Sequence, residues 1–193
     1  MTLRHTRTLS IVAAALLLAA CGSHDSHSGS TAVSVDASAA FNDADLIFAQ
    51  EMIPHHEQAI ELSEYALDPK AGASEAVKGL AGRIEAGQDP EVTLMKGWLK
   101  EWGQPTMDEL PEHDMSTMEG MVSEADMKQL ATLTGAEFDA AWLKAMIAHH
   151  EGALKMAKDV KAEGKHPDVA ELADAVIAAQ TAEIEEMSPL VGD

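Results

Sequence analysis

The sequence predicts an all-α protein, a four-helix bundle made from two duplicated helical hairpins. Three observations point there. The run Met52-Ile53-Pro54-His55-His56-Glu57 returns as Met146-Ile147-Ala148-His149-His150-Glu151. A second motif follows each copy in the same order, Gln88-Asp89-Pro90-Glu91-Val92-Thr93-Leu94-Met95 and then Gln180-Thr181-Ala182-Glu183-Ile184-Glu185-Glu186-Met187. No stretch alternates with the period of two that a half-buried strand requires, while abundant Ala, few aromatics and eleven Met suit helices. An internal repeat sets the architecture before any single element does.

Residues 1–20 read as a targeting segment. Arg4 and Arg7 precede a short apolar stretch from Ile11 to Ala20, too short to span a bilayer as a mature helix. It ends in Leu18-Ala19-Ala20-Cys21-Gly22, which resembles a bacterial lipobox. In that pattern the cysteine becomes the lipidated first residue. Cys21 is the one cysteine of the chain, so a lipoprotein held on the extracytoplasmic face of a membrane, without disulfides, is expected. An ordinary signal peptide cut at the small residues is the alternative. Residues 21–40, rich in Ser and Gly, read as a flexible tether carrying His24 and His27.

The bundle domain is expected over 41–190. Asn42 or Asp43 caps a first helix that runs to Leu67 and stops at Asp68-Pro69, with a kink at Pro54. A second runs from Ser74 to Trp102, with Pro90 and several glycines inside it, and closes at Gly103. A connector over 103–122 carries Met107, His113, Met115, Met118 and Met121, and a short helix follows Ser123. Thr134 to Glu137 has the capping-box pattern, opening a helix over 136–162 that closes at Gly164. The last helix spans 168–187, before Ser188-Pro189. Hairpins 42–102 and 136–187 thus form a bundle with pseudo-twofold symmetry. Its predicted core includes Leu46, Phe48, Ile53, Ala59, Ile60, Leu80, Ile84, Val92, Leu99, Phe138, Trp142, Ile147, Leu154, Leu172, Val176 and Ile184.

At about 100° per residue, Met52, His55 and His56 share one helix face, as do Met146, His149 and His150. Asp45, and Asp139 in the second copy, lie on the same stripe about two turns earlier. Gln88, Glu91 and Met95 form another stripe, and so do Gln180, Glu183 and Met187. Imidazole with thioether is a soft-to-borderline ligand set, suited to Cu(I) and, through nitrogen, to Cu(II) or zinc. His55, His56, Met52, His149, His150 and Met146 are therefore candidate metal ligands, joined by Met115, Met118 and Met121. Asp45, Asp139, Gln88, Glu91, Gln180 and Glu183 are candidates to orient the rings through their second nitrogens. The other reading is a satisfied polar core with the methionines as packing.

These motifs together resemble domain-of-unknown-function family 305. The resemblance rests on Met-Ile-x-His-His-Glu-x-Ala in both copies, Phe138-Asp139, the Gln-x-x-Glu-[Ile/Val]-x-x-Met echo and Met118-Glu119-Gly120-Met121. It covers about 41–190 and implies a secreted, ferritin-like four-helix bundle. Some members bind copper through Met and His, which implies copper binding and sequestration here, at the matching positions.

Charge and missing motifs narrow the function further. The net charge of −20 becomes −22 once residues 1–20, with two Arg and no acid, are removed. That opposes nucleic-acid binding and leaves a metal ion and the anchoring membrane as expected partners. There is no pair of Glu-x-x-His iron motifs, since the single such run, Glu163 to His166, falls across the helix end at Gly164; nor is there a His-Glu-x-x-His, a phosphate loop or a cysteine nucleophile. A non-enzymatic role is favoured over its rivals, a ferritin-like metal oxidase or a surface interaction module with a structural polar core.

Overall fold

The computed structural model describes residues 40–110 and 118–192. The candidates Cys21, His24, His27, His113 and Met115 lie outside these described residues. Among the described residues five α-helices follow one another: α1 (Asp43–Leu67), α2 (Glu75–Trp102), the short α3 (Glu124–Leu130), α4 (Gly135–Glu163) and α5 (Pro167–Met187). No strand occurs among the described residues. None of the described helices is long and apolar enough to cross a membrane. Both α1 and α2 run on as helices through Pro54 and Pro90.

The helix ends follow local chemistry with one exception. Asn42 caps α1 in a reciprocal box with Asp45, each side chain accepting from the other's backbone amide. Ser74 caps α2, and Gly103 ends it at φ 65°, a left-handed conformation that glycine adopts without strain. The box expected at Thr134 is not made: Thr134 forms no side-chain cap bond. The chain instead turns into α4 through Gly135 at φ 60°.

α1 packs along α2, α4 packs along α5, and the two pairs meet where α1 crosses α4. The apolar interior falls into two clusters. One joins Leu62, Leu80, Ile84, Phe138, Trp142, Met146 and Met187 at one end of the bundle. The other joins Phe48, Met52, Val92, Met95, Val160, Leu172 and Val176 at the opposite end. Every long helix passes from one cluster to the other, and each carries polar residues at the crossing. In chain order these are His55 and His56, Gln88 and Glu91, His149 and His150, and Gln180 and Glu183. The repeat therefore builds one polar layer across the waist of the bundle. Leu46, Ile60, Ile147, Leu154 and Ile184 are only half-buried; they sit on the flanks of their helices rather than on the inner face.

Candidate metal centre

His55 and His149 meet at the centre of the polar layer, one from each repeat. Their rings are tilted by 35° with centroids 3.7 Å apart, and both residues are fully buried. The contact follows from the pseudo-twofold. Equivalent positions on α1 and α4 touch only near the axis relating the hairpins, and the first histidine of each motif lies there. Met52 and Met146 sit three residues earlier on the same helices, also fully buried. Met52 and Met95 belong to one apolar cluster, and Met146 and Met187 to the other. A buried methionine pair thus lies on each side of the histidines. Sequence reasoning put Met95 and Met187 on the Gln-Glu-Met stripes but did not count them among the candidate ligands.

The second histidines face outward to carboxylates. His56 Nε2 stands 2.8 Å from Glu91 Oε2, and His150 Nε2 stands 2.8 Å from Glu183 Oε2. The two bonds are twofold equivalents that tie α1 to α2 and α4 to α5. An ionised carboxylate only accepts, so in the neutral ring Nε2 carries the proton and Nδ1 presents a lone pair. The carboxylates remain partly in water, with 22% and 20% exposed side chains, whereas the rings do not.

Six imidazole nitrogens in this layer are buried without a protein partner: both of His55, both of His149, and Nδ1 of His56 and of His150. The Gln88 amide nitrogen and oxygen and the Gln180 oxygen are likewise unpartnered. Burial pushes the His55 ring down to about pKa 3, helped by the neighbouring His56. The same desolvation, with His55 beside it, holds His149 well below the usual imidazole range. The Glu119 backbone carbonyl stands close enough to oppose this at His55, but it falls short of hydrogen-bond geometry. Both rings are therefore neutral at pH 7 and present lone pairs rather than charge.

The aspartates lie elsewhere. Asp45 is fully buried, but its carboxylate accepts from the backbone amides of Asn42, Lys165 and His166 at 2.9–3.2 Å. Asp139 accepts from the Ser74 amide at 3.2 Å. Each repeat's aspartate thus holds the turn of the other hairpin, at the start of α5 and of α2. Two helical turns put these residues on the histidine stripe but at the ends of the bundle, so neither orients an imidazole. Met118 and Met121 are half-buried in the connector. The backbone between them lies against α4 at the His149 turn.

Neutral imidazole and the buried thioethers of Met52 and Met146 are soft-to-borderline donors. Among the described residues, no three His, Cys, Asp or Glu side chains converge as a metal-binding group.

Comparison with known proteins adds to this geometry. The sequence model of the family described as Domain of unknown function (DUF305) matches residues 45–191. A DUF305 protein from Streptomyces coelicolor, considered secreted, is 33% identical with a TM-score of 0.69 over 76% of this chain and 91% of its own. A DUF305 fragment from Deinococcus radiodurans is 31% identical with a TM-score of 0.69, covering 78% of this chain and 97% of its own. CopM in its Cu(I)-bound form is 32% identical with a TM-score of 0.63 over 76% of this chain and 94% of its own. CopM has also been solved with Cu(II) and with silver. No curated protein matches the chain.

Proposed function

The chain belongs to the DUF305 family, and on that premise we propose that it binds copper outside the cytoplasm, at a central site shared by its two repeats. His55 and His149 supply nitrogen at the centre, and Met52 and Met146 supply sulfur from either side. Glu91 and Glu183 hold His56 and His150 with Nδ1 free. Met115, Met118 and Met121 belong to the connector that accompanies the site. Cys21 carries the lipid anchor, and residues 21–40 tether the bundle to the membrane surface.

The observation that carries the reading is the set of six buried imidazole nitrogens without protein partners. Leaving a buried polar group unpaired costs about 1–3 kcal/mol. Each neutral ring keeps one N–H, so the layer presents four free lone pairs, and four at positions set by a duplicated motif are organised to receive something with vacant orbitals. The donors fit copper: neutral imidazole serves both oxidation states and thioether favours Cu(I). Kinship with CopM supports the same choice.

Metal analysis of purified protein, with Cu(I) and Cu(II) titrations of the parent and of His55→Ala/His149→Ala, tests this. The double variant should stay helical and lose most of its copper affinity. Parental affinity in a folded double variant would remove the motif from the site.

A further inference from the structure

The duplicated motifs differ at one informative position. Gln58 of the first copy corresponds to Gly152 of the second, and both are used by the same stretch of connector. The backbone of Glu119 and Gly120 lies directly on Gly152: a Cβ there would stand 2.2 Å from the Glu119 oxygen and 2.9 Å from the Gly120 Cα. Gly120 reciprocates, at φ 85°, with the space of its own Cβ 2.9 Å from the Ala148 oxygen and 3.0 Å from the His149 oxygen. Two residues further on, the Gln58 amide clamps Val122, donating to its carbonyl at 2.9 Å and accepting from its N–H at 2.7 Å. A glycine inside a long helix costs about 1 kcal/mol relative to alanine. Here it creates the notch that lets a strap of backbone reach the histidine layer.

We propose that the strap 118–122 is the gate of the buried histidine layer, latched in the Gly152 notch and pinned by Gln58. His55 and His149 are fully buried, so an ion reaches them only when something moves. The long helices are held by whole packed faces. Beyond the notch, the strap's contacts among the described residues are the Gln58 amide, the half-buried Val122 side chain against the apolar cluster around Leu62 and Trp142, and one exposed ion pair, Lys155 to Glu119 at 3.3 Å. Segments with few buried contacts open at the lowest cost. The Glu119 carbonyl faces the His55 ring, so the strap covers the central pair rather than a remote surface. A cleft of about 450 Å³, lined by Gly120, Met121, Val122, Lys144, Ala145 and Ala148, gives it room to shift. Met118 and Met121 flank the latched peptide, so opening carries two thioethers outward. The gate rests on the copper reading for its purpose but not for its existence.

The full chain carrying Gly152→Ala tests it first without metal. The added methyl cannot coexist with the latched Glu119 carbonyl, while alanine favours the helix. Modification of His55 and His149 by diethylpyrocarbonate, followed by mass spectrometry, should accelerate at least about tenfold in the apo variant. Gln58→Ala frees the other end of the strap, should act in the same direction, and carries the test where Gly152→Ala does not fold. Transfer of bound Cu(I) to a chelator should quicken in both, with unchanged stoichiometry. Parental histidine reactivity in folded variants overturns the gate. Faster reactivity in a protein that takes up no copper upholds the gate and sinks the copper reading.

Discussion

The backbone amide of His166 donates to the buried carboxylate of Asp45 across 121 residues of sequence. Gly164 permits this approach, since a Cβ there would stand 2.5 Å from Asp45 Oδ1. Asp45 thereby closes the α4–α5 turn from the other hairpin. Stranding buried amides costs about 1–3 kcal/mol each, so Asp45→Ala should destabilise the protein by about 3 kcal/mol in urea unfolding. Asp139→Ala, acting on the exposed Ser74, should cost about 1 kcal/mol. Neither should alter copper stoichiometry. Loss of copper at full stability would return Asp45 to the metal site.

The apo protein should weaken as pH falls below neutrality. His55 stays neutral in the fold down to about pH 3, and His149 is depressed in the same direction. The unfolded chain takes up these protons near pH 6.5, so it binds more protons than the native state between the two values. The stabilisation is complete above about 6.5 and is lost as pH drops, by at most about 1.4 kcal/mol per pH unit for each proton. Urea midpoints between pH 6.5 and 5 measure this. His55→Leu should flatten the slope; an unchanged slope in that variant would assign it to other groups.

The methionines separate packing from binding. Met52→Leu and Met146→Leu conserve volume and should each cost less than about 1.5 kcal/mol. Cu(I) affinity should fall by on the order of tenfold, with Cu(II) affected much less, because thioether selects the softer ion. Equal loss for both ions would mean that the sulfurs only shape the site.

Glu91 and Glu183 act through the rings they hold. Glu91→Gln and Glu183→Gln keep a hydrogen-bonding oxygen but lose the charge that steadies the Nε2–H form. Copper affinity should drop about 10–100-fold, with circular dichroism unchanged. Titrations with each single variant check this. Parental affinity in both would confine the carboxylates to tying the helices together.

What the sequence determined by itself is periodic and local. The helices, their ends near Leu67, Trp102 and Met187, the duplication and the inward face of Met52 and His55 all follow from spacing and capping residues, since helix geometry is nearly invariant. The same spacing put Asp45 and Asp139 on the histidine stripe, where angle was right and height was not. A stripe says which way a side chain points, never which neighbour stands at its level. Only the packing of hairpin on hairpin decided that. It set the crossing of α1 and α4 at His55 and His149, gave each aspartate to the other hairpin's turn, and divided the apolar core around one polar layer. Met95 and Met187 gained their places in the two clusters bordering that layer in the same way. Gly152 carries no signal of its own in the sequence; only the strap lying on it gives its missing side chain a purpose. These are contacts across tens of residues, set by which faces can be buried together, and no local pattern encodes them.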